Sequence, residues 1–112
     1  MSKKKSEINI QVSLDDHHLP ETIVWKASDA DMKDTEQAKA LMMSVWDEKT
    51  SNSMRIDLWT KDMLVDEMKL FFFQTLVAMA DTLEKSTGEN NLAEDLRDYC
   101  AHFAEKSGFT KG

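Results

Sequence analysis

His17 and His18 stand side by side, and adjacent side chains on a chain point in different directions. Without a further Cys, His or carboxylate at ligand spacing they make a poor metal site, and they read as part of an exposed turn. Asp29, Asp31, Asp34 and Glu36 are spaced like weak calcium ligands. The stretch lacks the glycine and closing glutamate of a calcium loop, so a solvated acidic loop from Ser28 to Glu36 is expected. Cys100 and His102 lie two apart, which on a helix turns them away from each other and gives no nucleophile and base pair. The first half of the chain contains no glycine, so it has no glycine-rich phosphate loop. One set of titratable groups remains, Asp57 and Asp62 with His17 or His18, which a tryptophan-lined cleft would gather for catalysis or small-ligand binding. Nothing in their spacing requires it. The expectation is a protein with no catalytic residue, no metal site and no cofactor.

The balance of charge narrows the partners. The chain of 112 residues carries 21 Asp and Glu against 14 Lys and Arg, a formal net charge of -7, and its pI is near 4.9. Phosphate backbones and anionic lipid are repelled by such a surface, so nucleic acid is not an expected partner. Lys3, Lys4 and Lys5 form the only basic run, and residues 1–5 read as a disordered basic tail ahead of a single domain over residues 6–108. SEINIQVSL alternates polar and apolar residues, which excludes a signal-peptide core and leads to an expected cytoplasmic location. Gln74, Thr75 and Asp81 interrupt the richest apolar window, so no membrane insertion is expected. A lone cysteine, Cys100, fits a reducing compartment.

Hydropathy patterning places the elements. Ile8, Ile10, Val12 and Leu14 fall at every second position, the period of a half-buried strand, and TIVWKAS repeats it after the turn-like DDHHLPE. AKALMMSVW and SMRIDLW read as a hairpin joined by the polar DEKTSN, with helix as the alternative for the first run. From Asp62 the period changes. Val65, Met68, Phe72, Leu76, Met79 and Leu83 draw one stripe down a long helix ended by Gly88. Asn91 as N-cap with Glu94 as its capping-box partner opens a second helix, striped by Leu92, Leu96, Tyr99 and Phe103 and ended by Gly108. Strands grouped before helices predict an α+β fold: a four-stranded antiparallel sheet followed by two helices packed on one face.

Two surfaces stand out as interaction candidates. Leu70, Phe73 and Val77 form a second stripe on the first helix, away from the one expected to meet the sheet. Leaving such side chains in water forgoes roughly 1.5 to 3 kcal/mol each, so the stripe calls for cover. A second copy of the helix, making a homo-oligomer, is the leading reading; burial by the second helix and capture by a foreign partner are the others. The second surface is the sheet face away from the helices, where Val24 and Trp59 join one set from the third strand, either Leu41, Met43 and Val45 or the alternate positions, with Met43 and Val45 as the candidates. A face rich in Met and aromatic groups suits adaptable binding of apolar segments, and ordinary core packing is the alternative.

The run RIDLWTKDMLVDEMKLFFFQTLVAMADTLEKSTGEN, followed by LAEDLRDYCAHFAEKSG, resembles the GldC family of gliding-motility proteins of Bacteroidota. KSEINIQVSLDDHHLPETIVWKASD and MMSVWDEKTSNSMRIDLWTKDM also look like that family, so the resemblance spans nearly the whole chain. It implies a small cytoplasmic protein that supports gliding, a process tied to adhesin secretion, and it supplies no catalytic residue. In element order the chain is also similar to the SecB export chaperone, which holds unfolded secretory proteins on apolar surface. A shared outline does not carry function with it.

Overall fold

The computed structural model describes residues 4–28 and 34–109. They divide between Met63 and Leu64 into two compact units, the first holding the strands and the second the helices. In the first, β1 (Ile8–Leu14), β2 (Pro20–Ala27) and β3 (Glu36–Ala38) form one antiparallel sheet in that order, and β4 (Ala40–Asp47) and β5 (Asn52–Trp59) form a two-stranded sheet. The α+β class and the antiparallel pairing are as the sequence indicates, but the single four-stranded sheet is not. What reads as one third strand is two pieces parted at Lys39: β3 bonds to β2, while β4 bonds to β5. Most of the expected acidic loop, with Asp29 and Asp31, lies outside the described residues, and its last member Glu36 already belongs to β3.

Thr60 holds the break. Its N–H donates to Lys39 O at 2.8 Å, one step beyond the β4–β5 ladder. Its hydroxyl donates to Asp62 Oδ1 at 2.5 Å and lies 3.2 Å from Lys39 O. Thr60 is the one buried polar residue among those described, which fits a hydroxyl whose hydrogen bond is made inside the protein.

The β1–β2 and β4–β5 turns are built by aspartates. Asp15 Oδ1 accepts from the N–H of His17 at 2.8 Å and of Leu19 at 3.0 Å, and its other oxygen meets Lys61 Nζ at 2.5 Å. His17 and His18 therefore sit in an Asx turn, with His18 at a φ of 64°. Asp47 caps the β4–β5 turn by accepting from both the N–H and the hydroxyl of Thr50. On the first sheet the register sets Ile10 against Trp25 and Val12 against Ile23, while Val24 faces Gln11 on the opposite, polar side. Ile23, on the central strand, is the largest fully buried side chain.

In the second unit α1 (Val65–Thr87) and α2 (Asn90–Ser107) form a helical hairpin. Both expected glycine stops are present, Gly88 at φ 75° and Gly108 at φ 83°, each in the left-handed region that favours glycine. The start of α2 differs from expectation. Its N-cap is Glu89 rather than Asn91, with no side-chain cap, and Glu94 bonds Arg97 instead of turning back to the helix start. Phe73, Val77, Ala80 and Glu84 follow one another at spacings of four, three and four, the seam spacing of paired helices. Phe73 meets Phe109 edge-on with centroids 5.9 Å apart, and Glu84 meets Arg97 at 2.9 Å. Ala80 from α1 and Ala93, Cys100 and Ala104 from α2 are buried, small residues that let the two backbones approach.

Candidate functional site

The β4–β5 register decides which side chains act together. Leu41 stands opposite Leu58, Met43 opposite Ile56 and Val45 opposite Met54, so one face of the hairpin is apolar at three successive cross-strand pairs. Val45 is 53% exposed, Met54 61% and Ile56 48%, so the outer half of that face is open to solvent. The other face carries Ala40, Met42, Ser44 and Trp46 against Trp59, Asp57, Arg55 and Ser53. There the Arg55 guanidinium bonds both oxygens of Asp57, at 2.7 and 3.3 Å, and reaches Ser44 Oγ at 2.5 Å. That bond to Asp57 raises the Arg55 pKa further above its ordinary value.

This register separates the residues expected to share a partner-binding face. Met43 and Val45 lie on the apolar side of the hairpin and Trp59 on the other, while Val24 is on the polar side of a different sheet. Sequence alternation finds the two sets of each strand but leaves open which faces which. The signal for that is the Asp47 turn, because closing the hairpin with Asp47 opposite Asn52 puts odd positions of β4 against even positions of β5.

Beside the hairpin end lies an open cleft of about 350 Å³ lined by Leu19, Pro20, Leu58, Trp59 and Met63, with Asp57, Thr60 and Lys61 at its polar rim. Of the groups the sequence would gather around a tryptophan-lined cleft, this lining holds Trp59 and Asp57 but not Asp62, His17 or His18. Asp57 is held by Arg55 and Asp62 by Thr60, whose hydroxyl keeps the Asp62 carboxyl below the usual range. Lys61 is committed to Asp15, and its pKa is raised by that bond. The titratable groups at hand are thus paired with structural partners, and no described group of three His, Cys, Asp or Glu is placed to hold a metal ion.

On α1, Leu70 is exposed, Val77 half-buried and Phe73 occupied by Phe109. About a quarter turn from the seam, Val65, Phe72 and Met79 are exposed at intervals of seven. No described helix is long and apolar enough to cross a membrane.

Hairpin, cleft and helices together define a small α+β protein whose described surface is marked by ordered apolar faces. A family model described as gliding motility-associated protein GldC-like matches residues 20–108, and the chain belongs to that family. Neither the curated proteins nor the solved structures offer a match.

Proposed function

We propose that this protein is a non-enzymatic, cytoplasmic accessory factor of gliding motility that holds extended apolar segments of a motility or secretion component. The observation that carries the reading is the apolar face Leu41, Met43, Val45, Met54, Ile56 and Leu58, whose outer half is solvent-exposed. Burying each such side chain is worth roughly 1.5 to 3 kcal/mol, and a partner strand laid across them collects several at once. Membership of the GldC-like family supports the link to gliding.

The test is a Val45→Asp, Met54→Asp double variant, both changes at exposed positions. It is expected to fold, to fail to restore gliding in cells lacking the protein, and to lose suppression of light scattering when an unfolded test protein is diluted from urea. A variant that glides and suppresses scattering as well as the original chain refutes the reading. The Trp59 cleft supports a second one, a small-ligand site. Quenching of tryptophan emission by a metabolite mixture, abolished in Trp59→Ala, would favour it over the first.

A further inference from the structure

The outer edge of β5 is open. Asn52 to Asp57 are all exposed, and among the described residues β5 pairs only with β4. Because Thr60 N–H bonds Lys39 O, and antiparallel ladders alternate, Leu58, Ile56 and Met54 turn their backbone groups toward β4. Ser53, Arg55, Asp57 and Trp59 therefore turn theirs outward. Natural edge strands are usually blunted by lysine, proline or a bulge, and this one has none of these. Its two charges, Arg55 and Asp57, neutralise each other.

We propose that β5 pairs antiparallel with β5 of a second copy, about a two-fold axis at Ile56. Charge complementarity selects both the occupant and the register. Two outward-facing residues must meet in each hydrogen-bonded pair, which leaves only registers centred on Arg55, Ile56 or Asp57 near the middle of the strand. Centring on Arg55 sets it against itself, and centring on Asp57 does the same to the carboxylate. Centring on Ile56 sets Arg55 opposite the second copy's Asp57, and Asp57 opposite its Arg55. It also joins Ser53 to Trp59 in both directions and sets Met54 against Leu58, so the apolar face of one hairpin continues into the next. Every outward N–H and C=O from Ser53 to Trp59 then has a partner, in an isologous contact that closes on itself.

Arg55→Asp and Asp57→Arg test this by light scattering after size exclusion across a concentration series. The original chain is expected at twice 12.9 kDa. Each single variant, which sets like charges opposite each other twice, is expected to dissociate at a concentration about tenfold higher or more. Mixing the two variants restores opposite charges at both positions, so a mixed dimer is expected to re-form. Circular dichroism of each variant alone separates dissociation from unfolding. The proposal is overturned by a monomeric original chain at its highest soluble concentration, by a dimer indifferent to the single changes, or by failure of the mixture to recover mass. In that last case an edge that binds another protein's strand is the reading left. Because Met54 lies in this contact, the Val45→Asp, Met54→Asp variant is weighed by mass as well, and suppression of scattering by the Arg55→Asp and Asp57→Arg variants separates segment binding from pairing.

Discussion

Truncating Ile23 tests whether the strand unit rests on as little core as its burial suggests. Ile23 is 1% exposed on the central strand, opposite Val12 on β1 and Ala38 on β3. Ile23→Val removes one carbon and Ile23→Ala three, so transfer alone predicts losses of about 0.8 and 2.4 kcal/mol. The cavity left beneath β1 and β3 adds to the second figure and brings it to about 3 kcal/mol. Ile8 shares the apolar face of the same sheet but is 75% exposed, so Ile8→Ala is expected to cost less than about 0.5 kcal/mol. Urea unfolding followed by far-ultraviolet circular dichroism gives all three values from the midpoints. If Ile8→Ala costs as much as Ile23→Ala, the reasoning fails, because something then buries Ile8 in solution. If Ile23→Ala costs under about 1 kcal/mol, Ile23 is not the anchor its position implies.

Three further outcomes are expected. Lys61 first, then the N–H groups of Leu19 and His17, hold the Asp15 carboxyl down to about 2, below its ordinary 3.8. A depressed folded pKa contributes stability above the ordinary value and loses it as pH falls, so the advantage of the native chain over Asp15→Asn should be constant near neutrality. It should shrink between pH 3.8 and about 2, and a difference in urea midpoint independent of pH would contradict this. Gly88→Ala meets no atom within 4 Å but forces a side chain into the left-handed region, with an expected cost of about 1 kcal/mol by urea midpoint. Phe73→Ala and Phe109→Ala should each cost about 1 to 3 kcal/mol, less than for a fully buried ring because Phe73 is half-buried. Their double-mutant cycle should show a coupling of about 0.5 to 1.5 kcal/mol, and additive losses would mean the edge-on contact contributes nothing.

The elements with a strong period were legible in the sequence. Alternation placed β1 and β2, the polar DEKTSN placed the hairpin turn, and Gly88 and Gly108 placed both helix ends. The break at Lys39 was not, because Lys39 sits between two alanines in a run that continues smoothly, and three residues of β3 are too few to show a period. The opening of α2 misled because two asparagines and a glutamate imitate a capping box, while Arg97 draws Glu94 into a cluster with Asp81 and Glu84 instead. The face of α1 that meets α2 was open to more than one reading, burial of the Phe73 and Val77 stripe by the second helix being one of them. Ala80 is an unobtrusive member of a mixed run, yet it is the one fully buried residue of α1 among those described, and a small residue marks close helix approach only once its partner is known.

The buried thiol of Cys100 gives the helical hairpin its own clock. It lies 4% exposed among the alanines of α2, and desolvation raises its pKa, so the closed form presents neither access nor thiolate to a reagent. Modification must then wait for α1 and α2 to part. With reagent dilute enough that reclosure outruns capture, the rate reports the fraction of time the pair stands open, and with reagent in excess it reports how often opening occurs. A single native atom thus times a motion that would otherwise require a label.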